Sequence, residues 1–260
     1  MADDPVVRIV DVHKRFGDLV VLDGVSMDIP RGRTTAILGP SGAGKSVLLK
    51  HLVGLIPPDR GQILVGGVDM ARASERQKYA VREKFGMLFQ GAALFDSLTA
   101  GENVEFPLKY HRSLSARERR RIAQEKLELV DLPDLYDRPT PALSGGQRKR
   151  VGLARAIVLE PEIVVFDEPN SGLDPVTSDT IDELIGRMQH KLGITFLIIT
   201  HDIVQAMRVA DQIGMLWKGK LVEYGPKDAF LHSRYEVVRR FLERNVALPE
   251  PSGPIIPADD

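Results

Sequence analysis

The chain has no cysteine among its 260 residues. This absence excludes disulfides, thiolate metal sites and cysteine nucleophiles, and it fits a protein of the cytosol. An excess of charge of one sign is also lacking, because 35 lysines and arginines nearly balance 36 aspartates and glutamates. The field of the whole chain therefore gives no reason to expect a nucleic-acid partner, and we expect none.

Long apolar runs are missing as well. The most apolar stretch, Ile194 to Ile199, has the length of a buried strand and falls far short of the roughly 18 apolar residues of a membrane-spanning helix. The first residues, Met1 to Pro5, are acidic and carry no apolar segment of a secretory signal. If the protein serves a membrane process, we expect another subunit to cross the bilayer.

The order of sequence patterns predicts the fold class. Alternating apolar and polar positions in residues 6–12 and 19–29 predict two strands. A short apolar run, Thr34 to Leu38, is followed by helical spacing from Lys45 to Leu55. Residues 96–158 have helical patterns throughout, after which strand and helix patterns alternate again. We therefore predict an α/β core that is interrupted by a helical insert.

Capping residues and prolines mark several boundaries. Thr99 and Asp174 are expected to cap helices, and Ser115 and Ser144 each begin a capping box, with Glu or Gln three residues later. From Pro249 onward four prolines fall in twelve residues. That composition predicts an extended or disordered tail, and docking of its Ile255 and Ile256 on a neighbouring subunit is the alternative.

A complete phosphate-binding pattern follows the strand at Thr34 to Leu38. Its residues are Gly39, Pro40, Ser41, Gly42, Ala43, Gly44, Lys45 and Ser46, with Val47 next in the chain. Glycines let backbone N–H groups converge on phosphate oxygens at the positive end of the following helix. We expect Lys45 to reach the β- and γ-phosphates and Ser46 to hold Mg²⁺ through its hydroxyl. The pattern predicts a nucleotide site.

Two carboxylates end a second apolar strand, Ile163 to Phe166. Ligands of open α/β sheets bind at the carboxyl ends of the strands, where Asp167 and Glu168 are expected to lie. We expect Asp167 to support the metal. Glu168 is then placed to polarise the attacking water, a general-base role worth about 10²–10⁴-fold in rate.

Three further residues are candidates for the same site. His201 directly follows the next strand, and we expect it near the γ-phosphate. Gln90 closes the strand before the insert, where its amide could touch Mg²⁺ or the water. Phe16 is the best candidate to stack on the adenine base, and packing in the core is its alternative role.

Six segments follow one another in a fixed order: the phosphate loop, Gln90, Leu143–Gln147, Asp167-Glu168, Ser171–Asp174 and His201. Together they resemble the ATP-binding cassette (ABC) family of ATPases over residues 6–245. The resemblance implies an α/β fold with a P-loop (RecA-like) core, an N-terminal antiparallel β subdomain and an inserted helical subdomain. The implied bounds are 6–90 and 159–245 for the core, 91–158 for the insert and 246–260 for a proline-rich tail.

The resemblance also implies roles for residues of this chain. ATP is the expected substrate, and the expected catalytic residues are Lys45, Glu168 and His201. The expected ligands of Mg²⁺ are Ser46, Gln90 and Asp167. Ser144, Gly145, Gly146 and Gln147 are expected to contact ATP that is bound to the opposite subunit, and Asp174 is expected in a loop of the dimer interface. Gly172 replaces an alanine that is common in the family, and we expect a more pliable loop there.

The implied partners are a second copy of the chain and an integral-membrane permease. The Gln90 loop and the insert would transmit closure to that permease, so the chain would lie peripherally on the cytoplasmic side of the inner (plasma) membrane. ABC proteins that act on DNA or ribosomes usually carry two cassettes in one chain or a long coiled-coil insertion, and this sequence has neither pattern. We expect the cluster Arg117–Arg121 to be a solvated helix face, because glutamates are interleaved with it.

Finer features resemble one branch of the family, the ATPases of Mla and Mce-type phospholipid transporters. They are the segment Phe89–Leu108, Val47 after the phosphate loop and Arg148–Val151 after the signature. This branch implies phospholipid transport, with a small cytoplasmic accessory subunit and a lipid-binding substrate protein as further partners. An importer ATPase for amino acids or another small solute would share every catalytic motif and is the alternative.

Overall fold

A computed structural model of the chain describes residues 4–243 and 251–257. The chain forms two compact units. The first consists of Met1–Arg82 and Leu197–Asp260, and the second of Glu83–Phe196. Across the described residues, no helix combines the length and the apolar character that crossing a membrane requires.

The first unit contains a four-stranded antiparallel sheet. Its strands, in sheet order, are β2 (Leu19–Ile29), β1 (Val7–Phe16), β4 (Arg60–Val65) and β5 (Val68–Asp69). The predicted strands at 6–12 and 19–29 are confirmed, and they meet at a turn in which Gly17 has a φ of 60°. Along β1, Val7, Ile9 and Val12 are buried while Arg8 and Val10 are exposed, as one buried face of a sheet requires.

The same unit holds the strand that leads into the phosphate loop. This strand, β3 (Thr34–Leu38), is buried along its whole length and pairs in parallel with β9 (Gln212–Trp217). In turn β9 pairs antiparallel with β10 (Lys220–Pro226). The helices of the unit are α1 (Lys45–Leu52), α2 (Glu75–Arg82), α7 (Ile203–Val209), α8 (Lys227–Leu231) and α9 (Glu236–Leu242).

The second unit is mainly helical. Its helices are α3 (Ala100–His111), α4 (Ala116–Leu129), α5 (Gly145–Ile157) and α6 (Pro175–Leu192). Two parallel strands, β6 (Phe85–Leu88) and β7 (Ile163–Asp167), pair in register from Phe85 opposite Ile163 to Leu88 opposite Phe166. The strand β8 (Thr195–Thr200) begins at the end of this unit and finishes in the first.

All four predicted caps are confirmed. Thr99, Ser115 and Ser144 form capping boxes at the starts of α3, α4 and α5. Asp174 caps α6 by accepting the N–H of Thr177 at 3.0 Å. Each cap satisfies N–H groups that the first helical turn cannot pair internally, and each is worth about 1 kcal/mol.

Other boundaries differ from the sequence-based expectations. The helix expected from Lys45 to Leu55 ends at Leu52, because the chain turns at Gly54, where φ is 65°. The elements β4, β5, α2 and α8 were not predicted. The strand β4 is defined by its pairing with β1, and a contact with so distant a segment cannot be predicted from the local sequence.

The C-terminal segment lies against its own chain where it is described. Residues 251–257 run beside 232–236, with the Ile256 N–H donating to the Arg234 carbonyl at 2.7 Å and the Glu236 N–H donating to the Ile256 carbonyl at 2.8 Å. The parts of the expected tail at 246–250 and 258–260, and the end of the helix expected near 234–245, lie outside the described residues. Docking of Ile255 and Ile256 on another subunit stays a prediction.

Candidate nucleotide site

The phosphate loop depends on glycine backbone conformations. Gly39, Gly42 and Gly44 have φ values of 156°, 81° and 105°. A Cβ on Gly39 would lie 2.4 Å from the Leu216 carbonyl oxygen, and one on Gly44 would lie 2.7 Å from the Val21 carbonyl oxygen. Side chains are therefore excluded from both positions by backbone atoms that cannot move aside, so the glycines fix the course of the loop.

Lys45 and the start of α1 make this loop suitable for an anion. The Lys45 side chain is buried, and its Nζ donates to the carbonyl oxygens of Gly39 at 2.5 Å and Pro40 at 3.0 Å. Gly44 is the N-cap of α1, where no side chain caps the helix and no acidic residue occupies the first turn. N–H groups and the helix dipole favour phosphate at such a terminus. Exposed Ser46 supplies a hydroxyl of the kind that binds Mg²⁺ beside a nucleotide.

Phe16 and His201 belong to the same unit. Phe16 is the last residue of β1, and half of its surface is exposed. The alternative of core packing is therefore wrong, and stacking on adenine stays a prediction. His201 is exposed directly after β8. The backbone beside it is held by Asp202, whose N–H donates to Thr200 Oγ1 at 3.0 Å and whose carboxylate caps α7.

In the second unit, the two predicted carboxylates end β7 as expected. Ile163 to Phe166 are buried, and Asp167 and Glu168 are intermediate in exposure. Glu168 has a φ of 50°, which is uncommon for a residue other than glycine and often accompanies function. Its carbonyl oxygen accepts the N–H of Ser171 at 3.2 Å and Nζ of Lys149 at 3.2 Å. The peptide that carries the Glu168 side chain is thus held from two sides.

Gln90 is bonded to the same group of residues. Its Nε2 donates to Ser171 Oγ at 3.0 Å, and its backbone carbonyl accepts a hydrogen bond from Lys149 Nζ. Because the amide nitrogen is used in this way, the amide oxygen is the atom that could bind Mg²⁺.

Lys149 and Ser171 were given no role in the site, although they lie in two segments that carry the family resemblance, Arg148–Val151 and Ser171–Asp174. Helical periodicity could have indicated Lys149, because it shares a face of α5 with buried Gly152, Leu153 and Ala156. Burial holds the pKa of Lys149 below its ordinary value, and the charges of Asp167 and Glu168 offset only part of that effect. The side chain is a buried cation near two carboxylates and two carbonyl oxygens, which is the pairing that such a charge requires.

The signature segment begins α5. Ser144 Oγ accepts the N–H of Gln147 at 3.2 Å, and Gln147 Oε1 accepts the N–H of Ser144 at 2.9 Å. Helix geometry leaves the N–H groups of Gly145 and Gly146 without a partner inside α5. Gly145 is exposed, whereas a Cβ on buried Gly146 would lie only 2.5 Å from Thr177 Cγ2. The second glycine is therefore required by packing against α6, which the sequence did not indicate.

The loop before α6 is held by Asp174. Its carboxylate accepts Thr177 Oγ1 at 2.6 Å and the Thr177 N–H, and these hydrogen bonds, the side-chain bond first, lower the pKa of Asp174. Gly172 has a φ of 78°, a left-handed conformation that an alanine would adopt only with strain. The backbone of this loop thus needs glycine at 172 for its conformation.

A phosphate-binding strand–loop–helix unit and a strand that ends in Asp-Glu define a P-loop nucleotide-binding protein. The family model "ABC transporter" matches residues 22–171. The chain belongs to the ABC transporter family, and it is an ATPase subunit of that family. The predicted ABC ATPase fold is thereby confirmed.

Individual relatives agree with this assignment. The chain is 44% identical over 236 residues to the "Probable ribonucleotide transport ATP-binding protein mkl" of Mycobacterium leprae, covering 91% of this chain and 68% of that one. It is 36% identical to the intermembrane phospholipid transport system ATP-binding protein MlaF of Haemophilus influenzae, covering 98% and 96%. It is 42% identical to the methionine import ATP-binding protein MetN of Rhizobium johnstonii, covering 86% and 62%.

A solved structure shares the fold. The dimeric, post-hydrolysis state of the ATP-binding cassette MJ0796 bound to ADP and Pi matches with a TM-score of 0.76 and 32% identity, covering 85% of this chain and 98% of that one. The chain spans 66–68% of the length of the mycobacterial relatives and 62% of MetN. The match to MlaF, in contrast, covers nearly the full length of both chains, 98% and 96%.

Proposed function

We propose that this chain is the nucleotide-binding subunit of a membrane ABC transporter, that it dimerises on ATP, and that its transporter moves phospholipid. The near full-length match to MlaF supports phospholipid as the substrate, because the mycobacterial relative and MetN are both considerably longer than this chain. An importer of amino acids or another small solute is the second candidate, supported by the identity to MetN.

The phosphate loop would bind ATP, with Lys45 on the β- and γ-phosphates. Mg²⁺ would neutralise charge on the phosphates when bound, held by Ser46, Gln90 and Asp167. Glu168 accepts a proton from the attacking water, and His201 contacts the γ-phosphate. The left-handed backbone at Glu168 supports this role, because strain of about 1–3 kcal/mol persists only where surrounding contacts enforce it.

The signature segment would complete the site of a second copy. The N–H groups of Gly145 and Gly146, at the positive end of α5, would contact the γ-phosphate of ATP held by the partner. Ser144 and Gln147 would line the same contact, and Asp174 would lie beside it in the dimer. The dimeric state of MJ0796 supports this arrangement.

An apolar groove in the second unit supports a permease partner. The groove has a volume of about 340 Å³ and is lined chiefly by Phe85, Phe89, Phe95, Phe106, Pro107 and Arg155. Phe89 and Phe95 are 43% and 42% exposed, although exposed aromatic side chains are costly in water. Arg155 fixes one wall by donating to the carbonyl oxygens of Ala92 and Ala93 at 2.6 and 2.8 Å. A short apolar segment of a permease would fit this groove.

A buried asparagine connects the groove to the segment before the signature. Asn103 is fully buried, exchanges two hydrogen bonds with the Phe95 backbone and donates to Thr140 Oγ1 at 3.0 Å. Thr140 lies four residues before Ser144. Movement of Phe95 by a bound permease would therefore be passed to the start of α5.

The remaining partners follow from the same proposal. The chain would lie peripherally on the cytoplasmic side of the inner membrane, held there by the permease. A small cytoplasmic accessory subunit and a lipid-binding substrate protein would join the complex. Co-purification from membranes with a tagged chain identifies the permease and tests for both additional partners.

Hydrolysis and shared sites are tested with three variants. Glu168→Gln should lower the turnover of ATP by about 10²–10⁴-fold and trap an ATP-bound dimer, because it removes the general base. Wild-type hydrolysis by this variant would refute the role of Glu168.

In a mixture of Lys45→Ala and Ser144→Arg chains, each heterodimer keeps one composite site with both halves intact. Some ATP-dependent dimer should survive there, and its complete loss would contradict sites shared between copies.

The transported substrate is tested in proteoliposomes that contain the purified complex. Movement of a fluorescent phospholipid between vesicles should require ATP and should stop in the Glu168→Gln complex. Uptake of radiolabelled methionine is measured in the same vesicles. ATP-dependent methionine uptake without lipid movement would replace the phospholipid proposal with the importer.

A further inference from the structure

Lys149 occupies an unusual position for a lysine. It is 5% exposed on α5, two residues after the signature residue Gln147. Its Nζ donates to two backbone carbonyls from separate segments, that of Gln90 after β6 and that of Glu168 after β7. A buried ammonium group is costly unless it is paired, and an ammonium has three donors to satisfy. The position therefore selects a donor that can reach both loops.

These contacts belong to a closed cycle of hydrogen bonds. Lys149 Nζ donates to the Gln90 carbonyl, and Gln90 Nε2 donates to Ser171 Oγ. The Ser171 N–H then donates to the Glu168 carbonyl, which also accepts a hydrogen bond from Lys149 Nζ and so closes the cycle. We call these four residues the Lys149 cycle. It constrains the amide of Gln90 and the peptide of Glu168 at once, and neither can rotate without breaking a bond to Lys149 or Ser171.

We propose that Lys149 is a positioning residue that holds Glu168 and Gln90 in their hydrolytic arrangement and ties that arrangement to the signature helix. This inference rests on the proposed function, in which Glu168 activates water at one ATP while α5 contacts the ATP of the partner. The cycle then joins the residues that serve the two nucleotides of one dimer. Engagement of the signature at one site is passed through α5 and Lys149 to the water-activating residue of the other.

The expected defect is larger in turnover than in ATP binding, because Gln90 is the one member of the cycle that is proposed to contact bound Mg²⁺. None of the four residues of the Lys149 cycle belongs to the phosphate loop. Lys149→Met keeps an unbranched apolar stem and removes the donors, so kcat should fall about tenfold or more while KM for ATP changes less than about twofold. Lys149→Gln retains an amide donor of shorter reach and should recover part of kcat. Arg150→Met is the matched control, because Arg150 donates to the Asp131 carbonyl at 3.4 Å and should keep wild-type kcat.

A double-mutant cycle separates positioning from a merely structural role. If Lys149 acts through Glu168, Lys149→Met should lower the residual single-turnover rate by less than about twofold in the Glu168→Gln background. The Glu168→Gln/Lys149→Met chain should still dimerise with ATP. If Lys149→Met does not fold by circular dichroism, the same comparisons are made with Lys149→Gln.

Three results would overturn the inference. They are an unchanged kcat, a loss of kcat matched by an equal rise in KM, and an undiminished effect of the lysine substitution when Glu168 is already replaced. Failure of the proposed function looks different, because the wild-type chain itself would then neither hydrolyse ATP nor dimerise with it.

Discussion

Helix α1 begins after the glycines of the phosphate loop, and helix α5 begins with the glycines of the signature. In the phosphate loop, Gly39, Gly42 and Gly44 all have positive φ, and two of them lie against backbone oxygens. The signature glycines have ordinary helical conformations, and α5 is capped by Ser144 where α1 has no side-chain cap. Two similar glycine-rich sequences thus need glycine for different reasons. The phosphate loop needs it for backbone conformation, and the signature needs it at Gly146 to leave space for α6.

The largest effect is expected from Gly44→Ala in the phosphate loop. Alanine would be strained by the positive φ at this position, and its Cβ would lie 2.7 Å from the Val21 carbonyl oxygen. We therefore expect the free energy of unfolding to fall by more than about 2 kcal/mol and ATP binding to be lost. Urea unfolding, followed by the fluorescence of the single tryptophan, Trp217, measures the change in stability. Titration with a fluorescent nucleotide measures the change in ATP binding.

Gly42→Ala is the matched control for this substitution. Gly42 has a φ of 81°, but no atom lies within 4 Å of its Cβ position, so only backbone strain of about 1–2 kcal/mol is added. Equal losses for Gly42→Ala and Gly44→Ala would show that close contact with Val21 has no part in the effect.

A smaller effect is expected from Gly146→Ala in the signature. Its Cβ would overlap Thr177 Cγ2, which we expect to cost about 1–3 kcal/mol of stability. Thr177→Ser removes that methyl group and keeps the hydroxyl that bonds Asp174, so the double variant should regain most of the loss. Thermal unfolding measures both.

Gly145→Ala is the control within the same segment. Its Cβ would lie 3.3 Å from the end of the Leu173 side chain, and alanine favours helix by about 0.5–1 kcal/mol. We expect unchanged or higher stability with weaker ATP-dependent dimerisation. If Gly146→Ala lowers stability and adding Thr177→Ser does not restore it, the role of packing against Thr177 is contradicted.

The smallest effect on stability is expected from the charge of Asp174. This residue caps α6, the helix against which Gly146 packs. Hydrogen bonds from Thr177 lower the pKa of Asp174 in the folded chain below its ordinary value of 3.8. Its charge therefore stabilises the fold above that value, and the contribution is lost as the pH falls through the lowered pKa. Asp174→Asn keeps a cap without the charge. The urea midpoint of wild type should exceed that of the variant between about pH 5 and 7, and the two midpoints should converge as the pH falls below 3.8 and through the lowered pKa. A difference that persists in acid would exclude the carboxylate charge as its source.

Sequence patterns predicted those parts of the chain whose cause is local. The phosphate loop, the boxes at Thr99, Ser115 and Ser144, and the Asp174 cap each depend on residues within a few positions of one another. These features are confirmed at the level of structure. The roles of Glu168, His201 and Phe16 in catalysis or binding stay predictions.

The features that sequence missed depend on distant residues. Gly146 is required by Thr177, Gln90 bonds Ser171, and Lys149 bonds both Gln90 and Glu168. No pattern within one element contains these pairs. Strand β4 was missed for the same reason, because its hydrogen-bonding partner, β1, precedes it by about 45 residues.

The segment at 251–257 has a practical consequence for work with this protein. Tyr235 provides no side-chain cap for α9, and the carbonyl of Ile256 accepts the N–H of Glu236 in its place. A chain cut after Ala247 would lose that acceptor together with the bond from Ile256 to Arg234. We expect such a truncation to fray the start of α9, whether or not the segment contacts another subunit. Affinity tags are therefore better joined to the N-terminus, and a truncated chain that assembles poorly should first be compared with full-length protein for its helix content.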